Sequence, residues 1–124
     1  MKTAKYKDLG FTLIEIMIVV AIIGLLAAIA VPNFVHARVA SQQNACINNL
    51  RQIDGAKQNW ALDNKIPDTI TPVDSNIQNY LGRGSAGGLP WCPADPLSSF
   101  DTSYSINSLQ LAPTCLIASN HVFN

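Results

Sequence analysis

Charge is scarce in this chain of 124 residues: Lys, Arg, Asp and Glu together make up 13% of it, eight of each sign. The sequence therefore offers no basic patch for a nucleic-acid backbone, and no nucleic-acid partner is expected. Aromatic residues amount to 7%, and there are two histidines, His36 and His121. The three cysteines, Cys46, Cys92 and Cys115, stand at no metal-ligand spacing and both histidines are isolated in sequence, so a zinc site is not expected. Ser119 and His121 have no acid at a spacing that implies catalysis, and the chain is not expected to be an enzyme. Residues 82–88, Gly-Arg-Gly-Ser-Ala-Gly-Gly, lack the Gly-Lys-Ser/Thr ending of a phosphate loop and read as a surface loop. This length leaves room for one small domain and one membrane helix, not for a large enzyme core.

The few charges are unevenly placed. Lys2, Lys5, Lys7 and Asp8 come first, and the stretch from Ile16 to Val35 then carries no formal charge. That is about the ~20 residues a spanning helix needs. Lysines before a span predict a cytoplasmic N-terminus and an exported C-terminal part, where disulfides persist. Glu15 heads the apolar run, and a carboxylate in a bilayer costs roughly 2.5–3.5 kcal/mol on insertion scales. Such an acid calls for a partner.

Gly10-Phe11-Thr12-Leu13-Ile14-Glu15, behind a short basic leader and ahead of a long apolar helix, resembles the class III signal of type IV pilins and type II secretion pseudopilins. The resemblance implies a prepilin leader at residues 1–10, cut after Gly10 by a membrane peptidase that also N-methylates Phe11. It also implies that Glu15 guides assembly by facing the amine of Phe11, on its own or a neighbouring chain. Gly24 and Pro32 resemble the small and helix-breaking positions of pilin stems, whereas Asp8 and Leu9 stand where a basic residue often precedes the glycine. Loss of the leader would leave five basic and seven acidic side chains, a slight negative balance.

Residues 11–35 form the membrane and assembly half of a helix that is expected to continue to about Leu62, with residues 36–124 forming an exported globular domain. Pro32 lacks an N–H, which predicts a kink or melted turn at 28–32. Gly24 weakens the helix by ~1 kcal/mol against Ala. Gly24 and Ala28 make a small-xxx-small pair that lets helices approach closely in lipid, although small residues are also simply common in spans. About 50 helical residues would run roughly 75 Å, more than a small domain can cover.

Beyond Pro32 the pattern becomes one-sided: Cys46, Leu50, Ile53, Ala56 and Trp60 recur at helical spacing, with Gln43, Asn48, Arg51, Gln58 and Asn59 mostly elsewhere. The stripe should pack on a sheet from the C-terminal half. Asp63, Asn64 and Pro67 signal the helix end. A short helix is expected from Asn76 to Leu81, with Ser75 as N-cap and Gly82 as its stop. Strand candidates run from Tyr104 to Leu109 and from Cys115 to Ala118, with Pro113 between them. The fold class expected is α+β, a long N-terminal helix on a small antiparallel sheet, as in pilins.

Cys92 and Cys115 bracket the first strand candidate, and a bond between them would contribute ~3 kcal/mol by loop entropy. The resemblance favours that pair, since many pilins carry a C-terminal disulfide, but Cys46 lies on the apolar stripe and is an alternative partner for either. Asp74, Asp95 and Asp101 are candidates for a calcium loop of the kind seen in major pseudopilins, a poor match to the six to eight oxygens calcium takes. No other cofactor is expected.

The function implied is a structural subunit of a type IV filament, pilus or secretion pseudopilus, with a slight lean to a pseudopilin-like or minor-pilin-like one. Its expected partners are further copies, the prepilin peptidase and methyltransferase, an inner-membrane assembly platform and membrane lipid. Two alternatives stand beside it. Ala28-Ile29-Ala30 is a small-x-small site at which a general signal peptidase would release a secreted protein beginning at Val31. The other is a single-span binding protein that never polymerises.

Overall fold

The structure, a computed structural model, describes residues 10–82 and 88–122. Residues 1–9 of the leader expected at 1–10, and most of the glycine-rich loop, residues 83–87, lie outside the described residues. The chain divides into two units, residues 1–37 and 38–124, and one helix, α1 (Leu13–Asn64), contributes to both.

In the first unit α1 is apolar on every side. It contains a stretch long and apolar enough to cross a membrane, none of it buried within the chain. Ile14, Ile18, Ile22, Leu25 and Ile29 are all more than half exposed, so these side chains need lipid or other chains around them. The melted turn expected at 28–32 is not there, because α1 runs through Pro32 without a break. Pro32 cannot donate to the Ala28 carbonyl, and the loss stays confined to that bond while the turns on either side hold.

In the second unit α1 is amphipathic. Cys46, Leu50, Ile53, Ala56, Lys57 and Ala61 are buried along one face. Trp60, expected in the stripe, is only half-buried, because the stripe turns through Lys57 to Ala61 instead. The helix ends two residues beyond Leu62 in a Schellman arrangement. Lys65 adopts a left-handed conformation at φ 52°, Ile66 N–H donates to the Ala61 carbonyl at 3.0 Å and Lys65 N–H to that of Leu62 at 3.4 Å.

The remaining elements are short. They are α2 (Asp74–Ile77), a 3₁₀ turn (Gln78–Tyr80), α3 (Phe100–Ser103), β1 (Tyr104–Ser105) and β2 (Thr114–Cys115). The helix expected from Asn76 starts at Asp74 instead, preceded by Val73 as N-cap with no side-chain cap bond, and tightens into the 3₁₀ turn. β1 and β2 pair antiparallel, Tyr104 opposite Cys115 and Ser105 opposite Thr114. The architecture is α+β, a long N-terminal helix with a small two-stranded antiparallel sheet.

Both strands are shorter than the sequence pattern suggests, and for β1 the reason is a contact made from α1. The carbonyls of Ile106 and Ser108, which a longer β1 would spend on a ladder, accept instead from Lys57 Nζ at 3.4 and 3.1 Å. Asn107 between them turns left-handed at φ 58°, and its Nδ2 donates to the Ala112 carbonyl at 2.8 Å. The core joins Cys46, Leu50, Ile53 and Ala56 of α1 to Ile77, Leu81, Cys92, Phe100, Tyr104 and Ile106. Each fully buried Leu or Ile in it contributes ~1.5–3 kcal/mol. The Phe100 and Tyr104 rings meet edge to face, 5.8 Å apart at 60°.

Candidate functional site

Two groups of side chains stand out, one in each unit. At the head of α1, Thr12 and Glu15 form a reciprocal cap. Thr12 N–H and Thr12 Oγ1 both donate to Glu15 Oε2, at 2.8 and 2.7 Å, and Glu15 N–H donates back to Thr12 Oγ1 at 3.3 Å. This is the capping box, in which an acid three residues into the helix satisfies the amide of the residue that caps it. Phe11 is 85% exposed beside it, and Gly10 is also exposed. The Glu15 carboxylate thus has a partner within its own chain, Thr12, that was not expected from the sequence.

The second group is assembled from four separate segments. Cys46 comes from α1, Cys92 from the coil before α3, Cys115 from β2 and His121 from the turn after it. One donor atom from each lies within 4.8 Å of every other. His121 Nδ1 is 3.7 Å from both Cys92 Sγ and Cys115 Sγ. Cys46 and Cys92 are fully buried, His121 is nearly so and Cys115 is partly exposed. His121 is therefore not isolated as its place in the sequence suggests, because folding brings it against two thiols. All three cysteines are free thiols, and the pairings left open by the sequence all fall within this one cluster. Burial holds the Cys46 and Cys92 thiols above their ordinary range. Three thiols and an imidazole can bind a soft divalent metal, and any two of the thiols can be oxidised to a disulfide.

Hydrogen bonds around the cluster fix its geometry. Asn49 Nδ2 donates to the Tyr104 hydroxyl and to the Trp91 carbonyl, both at 3.0 Å, and that hydroxyl adjoins the Cys46 thiol. Cys92 N–H donates to Ser103 Oγ at 2.9 Å, and Ser103 Oγ donates to Asp95 Oδ2 at 2.7 Å. Asp95 Oδ2 also accepts from Thr102 Oγ1 at 2.6 Å and Oδ1 from Leu97 N–H at 2.9 Å. The Thr102 and Ser103 hydroxyls hold the Asp95 carboxyl below the ordinary aspartate range.

The three aspartates considered for calcium are not used alike. Asp95 is committed to the turn just described. Asp74 and Asp101 adjoin each other, and burial, followed by the Asp101 carboxyl, raises the pKa of Asp74. They line an open cavity of about 920 Å³ with Val73, Phe100 and Asn107.

Lys57 was not expected to matter and is fully buried. Besides the Ile106 and Ser108 carbonyls it donates to that of Leu111, and it pairs with Asp54 Oδ1 at 3.3 Å. Burial lowers its pKa, and Asp54 opposes that shift. Its signal in the sequence was position, since 57 continues the 46, 50, 53 stripe. Gln43 and Gln58, assigned away from the stripe, flank it and donate to the Asn120 and Leu109 carbonyls at 3.0 and 3.1 Å.

Comparison with known proteins finds a family motif in the first unit and relatives that extend well into the second. Residues 5–31 match the family described as the prokaryotic N-terminal methylation motif. The type II secretion system core protein G of Escherichia coli is 32% identical over 100 residues, covering 73% of this chain and 67% of that protein. The fimbrial protein EcpB of Eikenella corrodens is 40% identical over 105 residues, 85% of this chain and 65% of its own. The type IV major pilin protein PilA of Myxococcus xanthus is 50% identical over 54 residues, 44% of this chain. The chain spans only 24% of that last relative. No solved structure matches at a significant level.

Proposed function

Because this chain belongs to the family of type IV pilins and type II secretion pseudopilins, we propose that it is a structural subunit of a type IV filament, processed at its N-terminus and assembled through α1. The observation that carries the proposal is the pairing of an all-round exposed apolar helix with a capped acid at its head. The all-round apolar surface does not suit a chain alone in water. The apolar half rests in the inner membrane before assembly and among the stems of other copies afterwards, where the exclusion of water is the same.

Cleavage after Gly10 frees the α-amine of Phe11 one residue before Thr12. Both Thr12 donors go to Oε2 of Glu15, so Oε1 takes no part in the cap. A cation brought to that oxygen offsets the desolvation that each charge would suffer separately, and the amine of Phe11 on the same or a neighbouring subunit supplies one. In this reading the prepilin peptidase and methyltransferase and an inner-membrane assembly platform are the partners. The leader faces the cytoplasm before cleavage and the globular unit faces the periplasm. Pilus and pseudopilus differ in where the filament ends, and imaging filaments at the cell surface or within the periplasm separates them.

Mass spectrometry of the mature N-terminus tests the reading. The expected first residue is methylated Phe11. A chain beginning at Val31 would have lost Glu15 and most of the apolar run, and the filament proposal with them.

A further inference from the structure

The cluster of Cys46, Cys92, Cys115 and His121 has no part in the filament chemistry at the head of α1. We propose that these four side chains form a structural zinc site, with three thiolates and His121 Nδ1 as ligands. Tetrahedral zinc with Zn–S of about 2.3 Å and Zn–N of about 2.0–2.1 Å sets its ligand atoms roughly 3.5–3.8 Å apart. Nδ1 already stands at 3.7 Å from two of the sulfurs. The widest separation in the cluster is no more than 4.8 Å, so closing on a metal takes about 1 Å of movement.

A disulfide explains the arrangement less well. It would join two sulfurs and leave a third thiol and an imidazole gathered around it without a role. A four-ligand metal uses all four groups. It also ties α1, the coil before α3, β2 and the tail to a single point, in a unit whose strands are two residues long. Small folds with so little regular structure commonly need such a staple. The Tyr104 hydroxyl beside Cys46, itself fixed by Asn49, is the kind of outer hydrogen-bond partner that orients a metal-bound thiolate. On binding, the three thiols give up their protons to solvent and each sulfur donates a lone pair to the metal. No oxidation or reduction takes place.

The test uses the full chain purified from membranes in mild detergent under reducing conditions. Zinc content is measured by elemental mass spectrometry, and the protein is then stripped and titrated with Co2+. Equimolar zinc is expected, together with the intense visible bands and near-ultraviolet thiolate charge transfer of tetrahedral cobalt. Loss of an outer partner typically weakens metal sites by ~10–100-fold, so Cys46→Ser and His121→Ala are expected to weaken cobalt binding at least as much. His121→Cys keeps four ligands and should retain a tetrahedral spectrum, which guards against a variant that merely fails to fold. The proposal is overturned if the reduced wild-type chain binds no Co2+, if its spectrum is not tetrahedral, or if the variants bind like wild type. A disulfide between any two of the three cysteines in protein taken directly from cells overturns it as well.

Discussion

Lys57 Nζ lies 3.1 Å from the Ser108 carbonyl, at the centre of a buried fan of acceptors completed by Ile106 and Leu111. The ammonium holds the connection between the strands in a loop rather than a longer ladder. Lys57→Met fills the same space and leaves these carbonyls without a donor. Unsatisfied buried groups cost ~1–3 kcal/mol each, and relief from burying a charge offsets part of that, so a net loss of ~2 kcal/mol is expected in thermal melts of the full chain. The pH dependence has a definite sign. The Lys57 pKa is lowered in the folded state, so the folded chain holds fewer protons there than the unfolded chain. The wild type should therefore gain on Lys57→Met as pH rises from that lowered value towards the ordinary lysine value of 10.5. A Met variant as stable as wild type at neutral pH would mean that desolvation outweighs the bonds.

Ser103 is fully buried and joins the Cys92 amide to the Asp95 carboxylate. Ser103→Ala removes both bonds and leaves the Cys92 N–H unpaired inside the core. The expected cost is about 1–3 kcal/mol, read as a lowered melting midpoint. Ser103→Thr keeps the hydroxyl, and a loss from it equal to that from Ala would show that shape rather than hydrogen bonding matters at this position.

Lys65 closes α1 in a left-handed conformation that glycine adopts without strain. Lys65→Gly is expected to stabilise the chain by ~0.5–1 kcal/mol, the relief of strain exceeding the added freedom of the unfolded state. Lys65→Val should do the reverse, and denaturant midpoints of the two variants are the comparison to make.

Glu15→Ala removes the acid of the capping box and the partner proposed for the Phe11 amine. A subunit that is still cleaved and methylated but does not enter filaments is the expected outcome, seen as membrane-retained protein by fractionation and an absence of filaments by electron microscopy. Filaments formed normally by the variant would show that the carboxylate does no more than cap the helix.

The period of the apolar residues made the helix and its buried face legible, because Cys46, Leu50, Ile53 and Ala56 keep one spacing through three turns. Lys57 interrupted that stripe with a charge, and nothing local reveals that carbonyls fifty residues away will surround it. The length of β1 failed for the same reason, since the candidate strand from Tyr104 to Leu109 spends its Ile106 and Ser108 carbonyls on a lysine of α1. Cys92 and Cys115 were readable as neighbours, as was the alternative with Cys46. His121 was not, because metal-ligand spacing is recognisable only when ligands come in close pairs, and these four come from four segments. The Thr12 to Glu15 cap was not foreseen, although a threonine three residues before an acid is the spacing of a capping box, and it gives the carboxylate a first partner within its own chain.

Gln42 and Gln43, adjacent on α1, donate to the carbonyls of Pro93 and Asn120, both at 3.0 Å. The early and late parts of the second unit are thereby laced to each other, and the intervening backbone forms a closed circuit. A circuit survives one break. A protease that nicks the chain once between residues 65 and 88 would leave two fragments that still travel together as a native particle and separate only when denatured.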